Sequence, residues 1–159
     1  MAAGITLRND ALGVFRAYLE ATLGAAVEAA RRDDALLVDG ALTARAANAA
    51  LHATIARAGP FGAGNPEPVI ALPAHTVAYA EEVGQAHVRA RLQAGDGSTI
   101  NAIAFRAVGQ KLGQALLGGR GRPVHAVGSL SLDRWQGEER MQLRLIDVAS
   151  ADPVDRLRS

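Results

Sequence analysis

Apolar and polar positions along this chain change their period near residue 60. Before it the spacing is helical. Leu12, Phe15, Leu19, Leu23, Ala26, Val27 and Ala30 recur every three or four residues, with Arg16, Glu20 and Glu28 on the other face. This predicts an amphipathic helix that Asn9 or Asp10 can cap. A second stripe, Ala47, Leu51, Ile55 and Ala58, follows Thr43 as a cap and stops at Gly59–Pro60. The short apolar runs Ala3–Leu7 and Leu36–Val38 are strand candidates. Residues 1–58 therefore read as strand, helix, strand, helix.

After residue 68 strand-like segments dominate. Thr76–Val83, Ala86–Ala94, Thr99–Phe105, Pro123–Leu132 and Arg140–Ala149 are predicted strands. Asp96–Gly97 supplies a hairpin turn between the second and third. Arg106–Leu117 is a predicted helix with Val108, Leu112, Ala115 and Leu116 inward, ended by Gly118–Gly119. The order is βββαββ, followed by a polar tail, 150–159, expected to fray. Between the two halves, residues 59–68 hold three glycines and three prolines, together with Phe61 and Asn65. No regular element runs through such a mixture, so the segment is a shaped connector.

Two strands carry a basic face. His87, Arg89 and Arg91 alternate with Val88, Ala90 and Leu92, and Arg140, Gln142 and Arg144 alternate with Met141, Leu143 and Leu145. Successive strand residues point to opposite faces, so one face is basic and the other is core. Any sheet with one wet face looks like this, and each Arg taken singly reads as surface charge. Trp135, the only tryptophan, falls beside Arg134 in the loop expected between the last two strands. Its indole could stack a base with Arg134 on a phosphate, or fold back as a plug or onto a neighbouring domain. Both readings stand on sequence. Asn65 can hydrogen-bond local backbone and Phe61 can pack between subdomains, a positioning role.

Composition narrows the classes. The chain has 159 residues, 49% apolar, with no Cys and a net charge of +1. There is no disulfide or thiolate chemistry, no apolar run of the roughly 18 residues that a membrane span needs, and no signal-like start. A soluble cytoplasmic module is expected. Lys111 is the only lysine among 17 basic residues, a bias that reads as genome composition. His52, His75, His87 and His125 are scattered, and Asp33–Asp34 and Glu81–Glu82 have no ligand partner in sequence, so the acids read as solvated surface. No P-loop and no Ser/His/Asp set is present, which leaves a small autonomous hydrolase without support.

Literal strings add a resemblance. Pro60-Phe61-Gly62-Ala63-Gly64-Asn65-Pro66-Glu67-Pro68 resembles a signature of RecJ-like single-stranded-DNA exonucleases, in the DHH phosphoesterase superfamily. Val83-Gly84-Gln85-Ala86-His87-Val88-Arg89 is similar to that family's Gly-x-x-His segment, and Ile100–Phe105 to its next strand. Trp135-Gln136-Gly137, Met141-Gln142-Leu143 and Ile146-Asp147 resemble its closing hairpin. Met1–Thr6 resembles its Gly-Gly-His-x-x-Ala-Ala-Gly segment with the Gly-Gly-His cut off. The likeness spans the chain and is most specific from Pro60 to Asp147.

The resemblance implies an α+β chain: a partial DHH-associated αβ subdomain (1–58), the signature linker (59–68), a five-stranded OB-fold β-barrel (69–149) and a tail (150–159). OB barrels bind oligonucleotides on the face of their second and third strands and through adjoining loops. His87, Arg89, Arg91, Arg134, Trp135 and Arg144 are therefore the DNA-binding candidates, and Phe61 and Asn65 the domain-positioning ones. The family holds Mn²⁺ or Mg²⁺ through Asp and His clusters, including Asp-His-His, in a catalytic domain. This chain has no such string, so it is expected to lack the nuclease domain, to hold no metal or cofactor, and to be inactive alone. The expected partners are single-stranded DNA and that missing domain. Self-association through the truncated N-terminal subdomain is also expected. The alternative is a stand-alone OB-type binding or assembly module.

Overall fold

A computed structural model describes residues 4–32, 35–135 and 138–152, without the side chains of residues 31, 32, 134, 135, 138 and 139. Contacts divide the chain between Leu37 and Val38, ahead of the boundary expected at residue 58.

In the first unit a 3-10 turn, Asn9–Ala11, leads into helix α1 (Leu12–Arg32). The strand expected at Ala3–Leu7 does not form over residues 4–7. Asp10 does not cap α1 either. It lies within the 3-10 turn, where its carboxylate accepts from Arg8 Nε at 3.0 Å. The apolar stripe predicted for α1 includes Leu12, Leu23 and Val27, all exposed.

The second unit is a closed barrel. Its elements are β1 (Gly40–Ala41), α2 (Ala49–Ala56), β2 (Ile70–Val83), β3 (His87–Gln93), β4 (Thr99–Ala104), α3 (Lys111–Gly118), β5 (Pro123–Trp135) and β6 (Glu138–Ser150). The sheet runs β1-β2-β3-β4-β6-β5, and β2 pairs again with β5 to close five strands into the barrel that the resemblance implied. β4 and β6 run parallel, while the other barrel pairs are antiparallel. β1 adds a short parallel edge at Gly40↔Ile70.

β2 is longer than the predicted Thr76–Val83, and the reason is its changing phase. Buried positions fall at Ile70, Leu72, His75, Val77 and Ala80. The register shifts between Leu72 and His75, where Ala74 takes φ 51°, and again between Val77 and Tyr79. Each irregularity inverts the inside–outside alternation, so a period-two reading fails across it. The strand uses these bends to leave β5 and join β3.

α2 is capped by Asn48, whose Oδ1 accepts the Leu51 N–H at 3.0 Å, and not by Thr43. α3 starts at Lys111 rather than Arg106, because Arg106 (φ 54°) and Gly109 (φ 76°) are left-handed. α3 packs so close to Ala107 that a Cβ on Gly113 would stand 2.0 Å from the Ala107 carbonyl oxygen. Leu116 of α3 is fully buried with Leu72, Val77, Val88, Leu92 and Leu143. Burying each such side chain contributes roughly 1.5–3 kcal/mol.

Two polar anchors join the segment after β1 to the barrel. Buried His75 accepts the Ala44 N–H at Nε2 (3.0 Å) and donates from Nδ1 to the Pro73 carbonyl (2.9 Å), which fixes its tautomer. Arg45 pairs with Asp96 of the β3–β4 turn at 2.8 Å. The Asp96 carboxyl is held well below the usual carboxylate range, first by Ser98 Oγ and then by Arg45.

Candidate nucleic-acid interface

Barrel registry assembles the outer face into two rows. Val88, Ala90 and Leu92 of β3 are core, so Arg89 and Arg91 project outward. Arg91 lies opposite Tyr79 on β2 and Asn101 on β4, and Asn101 lies opposite Gln142 on β6. One strand repeat away, Arg89 lies opposite Glu81 and Ile103, and Ile103 opposite Arg144. The first row is thus Tyr79–Arg91–Asn101–Gln142, and the second Glu81–Arg89–Ile103–Arg144.

The first row floors a groove of about 360 Å³ that Arg89, Asp133 and Arg140 also line. A second depression of about 420 Å³ shares Arg91, Asn101 and Arg140 and extends past Thr99 to Ala47. Tyr79 is 47% exposed. The Arg120 guanidinium stands 5.7 Å from its ring centroid, within cation–π range, and donates to the Ala80 carbonyl. Arg91 is exposed and makes no ion pair among the described residues. The groove therefore offers an aromatic face, an unpaired guanidinium and two amides that both donate and accept.

The second row is occupied by its own partners. Glu81 Oε1 accepts from both Nε and Nη2 of Arg89, and Oε2 accepts the Tyr79 hydroxyl. The hydrogen bond to ionised Glu81 raises the Tyr79 phenol above its ordinary pKa. The same bond, followed by the one from Arg89, lowers the Glu81 carboxyl. Arg144 pairs with Glu67 of the signature segment at 2.6 Å, while its Nε is buried without a hydrogen-bond partner. Ile103, between Arg89 and Arg144 in register, is 8% exposed yet stands outside the main core cluster.

The sequence candidates thus separate. Arg89 and Arg91 both line the groove, with opposite electrostatic status. Arg144 reaches Glu67 instead. His87 lies at the start of β3, where Nδ1 accepts the Arg106 N–H at 3.0 Å and the ring meets Phe105 edge-on at 5.1 Å. It braces the exit from β4 and does not line the groove. Asp133–Trp135 belong to β5 rather than to a loop, with Arg134↔Glu139 and Trp135↔Glu138 in register. The backbone pairing extends the hairpin beyond the predicted end of the strand at Leu132. The side chains of Arg134 and Trp135 lie outside the described residues, so the stacking and plug readings of Trp135 both stand.

In the signature segment, Asn65 Nδ2 donates to the carbonyls of Ala58 (3.2 Å) and Pro60 (3.1 Å), and a tight bridge joins Gly62 and Asn65. Half-buried Phe61 lines a small hollow of about 170 Å³ with Ile55, Pro68 and Leu130. Tyr79 and Asn101 were not singled out by sequence, and Gln142 was read only as an outward position between two arginines. Only registry brings them together, and Tyr79 follows a register shift. Glu81, read from sequence as solvated surface, has two side-chain partners.

Among the described residues, no three His, Asp or Glu side chains gather as a metal site, and no helix is long and apolar enough to cross a membrane. No curated protein matches the chain. Solved structures of RecJ share its fold. RecJ from Thermus thermophilus in complex with Mn²⁺ aligns at 23% identity and TM-score 0.58, covering 94% of this chain and 20% of that one. The same protein in complex with Mg²⁺ aligns at 22% identity and TM-score 0.57, covering 92% and 21%. The chain thus spans about a fifth of the length of these relatives. The RecJ OB domain family matches residues 38–147, most of the chain and nearly all of the barrel, and the protein belongs to that family.

Proposed function

We propose that this chain is the DNA-binding and domain-positioning part of a RecJ-like 5′→3′ single-stranded-DNA exonuclease, and that single-stranded DNA lies across the Tyr79–Arg91–Asn101–Gln142 row. The observation that carries this reading is the open groove on the face where OB barrels take oligonucleotides. Tyr79 gives a base a surface to stack on, worth about 1–3 kcal/mol. Arg91 neutralises a phosphate. The Asn101 and Gln142 amides satisfy polar edges of an unpaired base, which a duplex buries in its pairing. In this reading Mn²⁺ or Mg²⁺ belongs to the family's nuclease domain and supplies activated water and charge stabilisation there. The helical residues ahead of the barrel are the end of the DHH-associated part, and the Asn65 turn with Glu67–Arg144 sets the angle at which the barrel is presented.

Anisotropy titrations with labelled single-stranded and duplex oligonucleotides of the same sequence test this. Tighter, salt-sensitive binding of the single strand, with no Mn²⁺-dependent nucleotide release by the chain alone, is the expected result. Equal binding of both forms, or no binding at low salt, would contradict the DNA reading. Release of nucleotides that a substitution in this chain abolishes would contradict the assignment of catalysis elsewhere.

A further inference from the structure

The Glu81 carboxylate touches two groove residues and has no place in the binding chemistry proposed above. Its Oε1 takes both hydrogen bonds that Arg89 directs at it, and its Oε2 takes the Tyr79 hydroxyl. The Arg89 side chain remains 55% exposed, and Glu81 30%. A guanidinium matches a phosphate through paired N–H donors, and here the Nε and Nη2 donors of Arg89 are already taken by one oxygen of an anion from the adjacent strand. Arg91, the next outward residue on β3, has no such partner among the described residues.

We propose that Glu81 is an internal competitor for phosphate: it occupies Arg89, so that the groove engages one strand through Arg91 and bases while the second row stays closed to the backbone. The inference rests on the DNA-binding reading and deepens it by naming a residue that limits non-specific phosphate contact. Its cost is affinity. A phosphate reaching Arg89 must displace a carboxylate that Arg89 and Tyr79 both satisfy. Its gain is selectivity, because single strand and duplex both present phosphates, whereas only the single strand presents unpaired base edges.

The test is the salt dependence of single-stranded DNA binding by the whole chain and four variants: Glu81→Gln, Arg89→Ala, their combination, and Arg91→Ala. Gln keeps an acceptor for the Tyr79 hydroxyl and removes only the charge. Each phosphate neutralised on a single strand contributes about −0.7 to the slope of log K against log salt. Arg89→Ala alone is expected to leave the slope unchanged, and Arg91→Ala to flatten it by about 0.7. Glu81→Gln should tighten binding at low salt, steepen the slope by about 0.7 and narrow the preference for single strand over duplex. The double variant should return to the parent slope.

A flattened slope for Arg89→Ala alone would show Arg89 already on phosphate and overturn the inference. So would a Glu81→Gln chain that keeps the parent melting temperature and slope. If Glu81→Gln does not fold, the Arg89→Ala slope decides by itself. Failure of the parent chain to bind single strands at all overturns the DNA reading, and this inference with it; parent binding with slopes indifferent to Glu81 overturns this inference alone.

Discussion

The two outer rows of the barrel cross the same strands one repeat apart, and each holds arginine, yet only one is open. Arg91 faces a groove with Tyr79, Asn101 and Gln142 around it. Arg89 and Arg144 are each met by a glutamate from elsewhere in the chain, Glu81 from β2 and Glu67 from the signature segment. The arginines do not differ in kind. In the proposed reading, what separates a binding surface from a structural brace is whether another segment delivers a carboxylate. A net charge of +1 is therefore compatible with a local phosphate site, because pairing removes the positive charge in one row and leaves it in the next.

The sharpest way to break this comparison is Tyr79→Ala. If the first row holds a base, single-stranded DNA binding weakens by about 1–3 kcal/mol in an anisotropy titration, with little change in melting temperature because the ring is half exposed. A large fall in melting temperature with unchanged affinity would make Tyr79 structural. Arg91→Ala follows in size: weaker binding together with the flatter salt slope already described. Arg144→Ala should do the reverse. Breaking a 43%-exposed pair on the Glu67 side lowers stability by only about 0–1 kcal/mol, while DNA affinity stays at the parent value. A DNA defect in Arg144→Ala equal to that of Arg91→Ala would erase the distinction between the rows.

The smallest effect concerns the β3–β4 turn, which keeps both rows in register. The folded-state pKa of Asp96 is depressed by Ser98 and Arg45, so its ionised form favours the folded chain. This stabilisation is present above the ordinary carboxylate pKa of about 3.9 and is lost as pH falls through the lower folded value. Asp96→Asn should therefore melt below the parent at neutral pH, and the gap should close on acidification below about pH 4. A gap that widens in acid would reverse the sign.

Much of this fold was legible in sequence. Alternation located β3 within a residue at each end, and it placed Arg89 and Arg91 outside. The literal resemblance supplied the barrel closure that periodicity could not. Legibility ended where the backbone departs from regularity. The bend at Ala74 hid the first half of β2, and the left-handed Arg106 and Gly109 shortened the predicted helix. Asp133–Trp135 read as a loop because Asp, Arg and the following Gln-Gly are common in turns, whereas cross-strand pairing carries the strand on to Trp135. The site was less legible than the fold. Tyr79, Asn101 and Gln142 are distant in sequence and meet only through cross-strand registry, including a parallel β4–β6 pair that local pattern cannot specify. The pairing of Glu81 and Glu67 with the arginines of the second row was hidden for the same reason.

The central claim is that the first row, and not the second, receives the strand. An NMR titration of the isotope-labelled chain with a short single-stranded oligonucleotide tests it residue by residue. The account predicts chemical-shift changes concentrated at the backbone amides of Tyr79, Arg91, Asn101 and Gln142 and at the Asn101 and Gln142 side-chain NH₂ groups, with Glu67, Ile103 and Arg144 nearly unmoved. Changes centred on Glu67, Ile103 and Arg144, with a silent first row, would contradict it.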